Sequence, residues 1–150
     1  MDIGSGKSYP SCALSNFTPH PFVIDGVECS SMEGFLQALK FSNPEMQKHV
    51  CTLVGVKAKM KGKRKKWFKT QTLYWMGVEY KRSSEEYQNL ITRAYDAMIQ
   101  NDKFVNAIKA SGNSSFTHSI GKNDISKTVL TEREFCGQLY RVRGIINGQK

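Results

Sequence analysis

The chain has 150 residues, with 22 Lys and Arg against 13 Asp and Glu, a formal net charge of +9. That length fits one domain with a core of ordinary size; no run of about 18 apolar residues is present, which argues against a transmembrane helix, and residues 1–11 lack the apolar segment of a secretory signal. The cysteines (Cys12, Cys29, Cys51, Cys136) show no CxxC pairing and no ligand spacing with His20, His49 or His118, so the expectation is no disulfide framework, no metal, no cofactor and a reducing cytoplasm.

Residues 1–10 read as a flexible arm, residues 11–145 as the domain and 146–150 as a tail. Thr18-Pro19-His20-Pro21 is extended, because each proline pushes its predecessor out of the helical region. Phe22-Val23-Ile24 and Val27-Glu28-Cys29 flank Asp25-Gly26, which predicts a two-residue hairpin. Ser30 to Phe41 then predicts a short, largely apolar helix, with Ser30 and Glu33 spaced as a capping box. Asn43 and Pro44 supply the N-cap and first residue of a second helix, to about Leu53.

After Gly55 the basic stretch predicts a short helix broken at Gly62. Ser83-x-x-Glu86 opens the longest helix, whose broad apolar face runs from Tyr87 to Met98. Asp102 caps another, ending before Gly112. Phe116 to Ile120 reads as a short strand and Gly121 to Lys127 as polar loop. Thr131-x-x-Glu134 opens a final helix that stops at Gly144. The sum is an α+β fold: a compact, helix-rich single domain with a small sheet.

Two features point to chemistry. Between Glu45 and Glu79 there is no acid, while nine cations fall there: Lys48, Lys57, Lys59, Lys61, Lys63, Arg64, Lys65, Lys66 and Lys69. Such a block fits a phosphate, dinucleotide or nucleic-acid partner, or else a solvated loop. Trp67, Tyr74 and Trp75 follow it, and suit either base stacking or a core. The second feature lies in the Ser30–Phe41 helix. At about 100° per residue, Glu33, Gln37 and Lys40 fall within roughly 60° of one another. A desolvated lysine loses its proton more readily and becomes a nucleophile, and a carboxyl beside it serves as acid or base. A helix cap plus a buried salt bridge would also account for the stripe.

Three segments, Leu14-Ser15-Asn16-Phe17, Pro21-Phe22-Val23-Ile24-Asp25-Gly26-Val27 and Ser31 to Phe41 (SMEGFLQALKF), resemble the signature of the NADAR (YbiA-like) family. Weaker likeness extends over residues 14–143. The resemblance implies an N-glycosidase acting on ribosyl or ADP-ribosyl N-glycosides, with Lys40 as the Schiff-base nucleophile, Glu33 as its catalytic partner and Asn16 as a positioning group. Ser15, Phe17, Gln37, Lys59, Trp67, Tyr74 and Trp75 are the further substrate-binding candidates. The late D..WG motif of many members is replaced by Phe116 to Asp124, which looks more like the phage-encoded branch and adds His118 as a candidate. The implied substrate is ADP-ribosylated nucleic acid, with DNA favoured over RNA, or ADP-ribose itself. That would reverse a toxin's modification of DNA in the host cytoplasm, without an obligate protein partner. The alternatives are a small phosphorylated riboflavin-pathway substrate and a non-catalytic ADP-ribose or nucleic-acid binding module.

Overall fold

The computed structural model describes residues 1–148. The first hairpin is as expected: β1 (Phe22–Ile24) pairs antiparallel with β2 (Val27–Cys29). Asp25 and Gly26 take φ of 50° and 76° at its tip, as a tight turn of that twist requires. The chain then enters α1 (Met32–Ala38), α2 (Pro44–Cys51) and α3 (Gly55–Lys63). A second hairpin, β3 (Thr72–Trp75) with β4 (Val78–Lys81), was not expected. α4 (Glu85–Met98), α5 (Asp102–Ala110) and α6 (Glu132–Gly148) complete the order. The two hairpins form separate two-stranded sheets rather than one.

α1 is the centre of the packing. Met32, Phe35, Ala38 and Leu39 are wholly buried, and α2 and α3 both lie against the helix. The Phe35 ring meets Trp75 edge-on at 4.9 Å. On the other side α4 buries Tyr87, Leu90, Ile91, Ala94, Tyr95 and Met98, and α6 adds Phe135, Leu139 and Val142 to the same core.

Three caps shift by one residue. Ser31, not Ser30, caps α1 by accepting the Gly34 N–H at 3.1 Å. Ser84, not Ser83, caps α4, and Asn101, not Asp102, caps α5. The Thr131–Glu134 box forms in full: Glu134 N–H donates to Thr131 Oγ1 (3.0 Å), and Thr131 N–H donates to Glu134 Oε1 (2.8 Å).

The chain ends also differ from expectation. Asp2 and Thr117 form a parallel bridge, Ile3 N–H donates to Thr117 O at 2.8 Å, and Ile3 is only 1% exposed. The segment read as a free arm is therefore docked, and the strand expected over 116–120 reduces to this bridge. α6 continues past Gly144 because Ile146, one turn beyond Val142, extends the buried stripe. Residues 149–150 of the expected tail lie outside the described residues. α3 likewise runs through Gly62. Glycine suits the close packing there, since a Cβ would stand 2.8 Å from Gln37 Cδ and 3.1 Å from Gln37 Cβ. Among the described residues, no helix is long and apolar enough to cross a membrane.

Candidate active site

A cavity of about 400 Å³ opens beside the polar stripe of α1. Its floor is Glu33, Leu36, Gln37 and Lys40. Ser15, Asn16 and Phe17 form one side, Lys59 and Lys63 of α3 another, and His118, Gly121, Lys122, the 127–130 segment and Phe135 the far wall.

The stripe survives the end of the helix. Lys40 lies just past α1, but its N–H donates to Gln37 O at 3.1 Å. That three-residue bond tightens the last turn, and in such a turn residues three apart eclipse, so Lys40 stays above Gln37. Glu33 does not cap. The Ser30 N–H that a capping box would need donates instead to Cys51 O. Glu33 Oε2 accepts from Gln37 Nε2 at 2.6 Å. Gln37 Oε1 is buried without a hydrogen-bond partner, a cost accepted so that the amide faces the carboxyl.

The two ionisable groups are pushed in opposite directions. Burial drives the Glu33 carboxyl above its ordinary range, against the Gln37 hydrogen bond and the charges of Lys40 and Lys59. Burial also draws the Lys40 ammonium below its ordinary range, helped by Lys59 and opposed by Glu33. Among the described residues, the ion pairs within 4.0 Å do not include Glu33 with Lys40, so the stripe is not a closed salt bridge.

Asn16 ties its loop to the helix. Its carbonyl accepts the otherwise unpaired Glu33 N–H at 3.0 Å. Its Oδ1 accepts from the Tyr95 hydroxyl at 2.8 Å, which leaves the side-chain NH₂ for a ligand. Ser15 turns inward, its Oγ accepting the Phe17 N–H at 3.2 Å.

The tryptophan expectation is corrected. Trp67 and Trp75 are core residues, 7% and 2% exposed, and neither borders the cavity. Trp75 Nε1 donates to Asp25 Oδ2 at 2.9 Å, and Arg93 grips the same carboxylate at 2.8 Å. Tyr74 is held by its main chain to Leu39 and Gln47 and also lies off the cavity. Trp75 packs the second hairpin against Phe35 of α1, and Trp67 meets Phe68 edge-on. The aromatic rings that do line the cavity belong to Phe17 and Phe135.

Several cavity residues had no signal of their own in the sequence. Lys63 was legible only as the residue one turn after Lys59. Lys122 and Lys127 sit in what reads as plain polar loop. Arg82 is wholly buried, and its two terminal nitrogens donate to Glu134 at 3.0 and 2.6 Å. Its Nε donates to Thr128 O at 2.8 Å, which fixes the 128–130 wall.

A family profile described as "Bacteriophage protein GP30.3" matches residues 8–144. The chain belongs to that family. A relative, an "Uncharacterized 17.1 kDa protein in Gp30-rIII intergenic region" of Enterobacteria phage T4, is 40% identical over 151 residues, covering 95% of this chain and 96% of the relative. Among solved structures, the NMR structure of Escherichia coli YbiA superposes with a TM-score of 0.64 at 15% identity, over 95% of this chain and 82% of that one. At that identity the likeness is one of fold. The expected α+β fold, like that of YbiA, and the phage-encoded character of the chain are thus borne out.

Proposed function

We propose that the chain is an N-glycosidase that removes ADP-ribose from ADP-ribosylated bases of DNA through an imine on Lys40. The observation that carries the reading is an amine eased toward its neutral form and a carboxyl eased toward its protonated form in one lysine-rimmed cavity. Neutral Lys40 Nζ bonds to the anomeric carbon, and the bond to the base breaks. The electron pair leaves on the base nitrogen, which takes the Glu33 proton. The Glu33 carboxylate then accepts a proton from Nζ and passes it to the ring oxygen as the C–O bond opens, leaving a protonated imine. Water releases ADP-ribose and restores the amine. Lys59 and Lys63 suit the pyrophosphate, and Phe17 and Phe135 replace the tryptophans as surfaces for the rings.

A small phosphorylated N-glycoside is the second reading, favoured by the cavity's size, which suits one nucleotide-sized group. The cation block bears on the choice. Ala58 and Gly62 of α3 are its buried strip. At about 100° per residue, Lys59 and Lys63 lie to one side of that strip and Lys57 and Lys61 to the other. The outer pair is exposed and lies off the cavity, where a strand longer than one nucleotide would pass. Incubation with an ADP-ribosylated oligonucleotide, followed by mass spectrometry, should show free ADP-ribose and an unmodified base. Lys57→Glu with Lys61→Glu should slow oligonucleotide turnover and lower the salt slope of oligonucleotide binding by about 2, while sparing a modified nucleoside. Turnover of the nucleoside alone would favour the small-substrate reading. Binding without product would leave a recognition module.

Glu33→Gln keeps the Gln37 contact and removes the proton. Turnover should fall by roughly 10²–10⁴. In the wild type the rate rises with pH as Lys40 becomes neutral and falls as Glu33 loses its proton, so the profile is a bell. In the variant the alkaline fall should disappear. A bell unchanged in Glu33→Gln would remove Glu33 from the acid role.

A further inference from the structure

His118 borders the same cavity as Glu33 and Lys40, and the steps above leave it without a task. Its Nδ1 lies 2.8 Å from the carbonyl oxygen of Ile3. A carbonyl oxygen only accepts, so Nδ1 carries the hydrogen, and in the neutral ring the lone pair is at Nε2. Nε2 has no hydrogen-bond partner among the described residues, and the side chain is partly exposed.

The ring is held from several directions. Phe135 meets it edge-on at 5.2 Å. The His118 main-chain N–H donates to Glu132 Oε2 at 2.7 Å. Gly121 is needed for its position, because a Cβ there would stand 2.7 Å from His118 Cδ2. The flanking residues are fastened to the first segment of the chain. Asp2 accepts from Ser119 N–H (2.8 Å), Ser119 Oγ (2.7 Å) and Thr117 Oγ1 (3.1 Å). Residues far apart in sequence thus converge to fix one tautomer and one ring orientation at the edge of the cavity. A histidine that served packing alone would not need a committed lone pair beside a cavity.

We propose that His118 is the base of the second half-reaction, and that Asp2 and Ile3 position it. The inference rests on the N-glycosidase reading. Water oxygen bonds to the imine carbon, the C=N pair moves onto Lys40 Nζ, and the released water proton goes to His118 Nε2. His118 returns that proton to Nζ. The C–N bond then breaks with its electron pair on nitrogen, giving the neutral amine. The hydroxyl proton passes to Nε2 and on to solvent as the sugar aldehyde forms. Glu33 acts in the first half and is tied to Gln37 on the cavity floor, whereas His118 stands on the opposite wall without a hydrogen bond to either.

The test is a single-turnover experiment on an ADP-ribosylated oligonucleotide, following base release and borohydride-trapped protein separately. In His118→Asn the amide can still donate to Ile3 O, so the loop keeps its anchor but loses the base. We expect base release at the wild-type rate, accumulation of the trapped adduct and steady-state turnover lower by about 10²-fold or more. Added imidazole should restore hydrolysis in His118→Ala. Asp2→Ala should show a milder form of the same split. Equal slowing of base release and hydrolysis, or unchanged turnover in His118→Asn, would overturn the assignment while leaving the N-glycosidase intact. Absence of base release from the wild type would instead remove the parent reading and this one with it.

Discussion

Lys40→Ala should abolish both turnover and the borohydride-trapped adduct, with a fall in kcat on the order of 10⁴–10⁶, the scale seen when a covalent nucleophile is deleted. Lys40 is partly exposed at the cavity floor, so the truncation removes chemistry more than packing. Lys40→Arg separates the two roles the residue could have. A guanidinium keeps the positive charge but cannot shed a proton in a protein. If Lys40 only contacted phosphate, arginine would keep much of the activity. If it attacks the sugar, arginine is as inactive as alanine. Burial is part of the design: each unit by which the folded environment draws the amine down raises its neutral fraction about tenfold at neutral pH. Full turnover in Lys40→Ala would sink the covalent mechanism.

Arg82→Ala should be the most destabilising single change outside the apolar core. Arg82 is 1% exposed, and its guanidinium lies 5.0 Å from the Tyr87 ring centre besides its bonds to Glu134 and Thr128. Removing one partner of a buried pair strands the other, at about 3–5 kcal/mol. For a chain of this length that corresponds to a fall in Tm of roughly 6–20 °C.

The pH dependence carries a sign. Burial pushes the Glu134 carboxyl up, but the Arg82, Thr131 and Gln88 hydrogen bonds outweigh it, and the group ends below its ordinary value of 4.5. A carboxyl depressed in the folded state stabilises above its unfolded pKa, and that stability is lost as pH falls through the folded pKa. The gap between wild type and Arg82→Ala should be widest near neutrality and narrow in acid. Exchanging both partners for Arg82→Met and Glu134→Leu should recover much of the loss. A Tm for Arg82→Ala within about 2 °C of wild type would refute the clamp.

What could be read from the sequence was mostly local. Asp25-Gly26 announced its hairpin because both residues suit positive φ. Met76 takes φ of 47° in the second hairpin, a conformation methionine does not advertise, so that turn was missed. The caps were off by one where Ser30-Ser31, Ser83-Ser84 and Asn101-Asp102 offered two acceptable residues side by side. Thr131 had no such neighbour and was placed correctly. The stripe was legible because α1 and the single turn that follows it hold all of it.

The walls were not, because they depend on pairings such as Ile3 with His118 and Arg82 with Glu134, separated by 115 and 52 residues. Aromatic residues after a basic run admit two fates, and only the packing of β3 beneath α1 decides between them. Capping chemistry could have absorbed Glu33, until the fold gave the Ser30 N–H to Cys51.

The origin of the site's parts in different segments has an evolutionary consequence. Acid and amine come from one short stretch, so their mutual geometry is inherited as a unit whenever α1 forms. In the proposed reaction the phosphates meet Lys59 and Lys63 of α3 and the rings meet Phe17 and Phe135, while the 127–130 segment closes the far wall, and these parts reach the cavity by independent routes. Substitution in those walls can retune what enters without redrawing the reacting pair. On the proposed reading, related phage proteins can diverge in the modified base they accept while keeping one cleavage chemistry, and exchange of residues 127–130, which leaves His118 in place, should transfer preference without transferring the reaction.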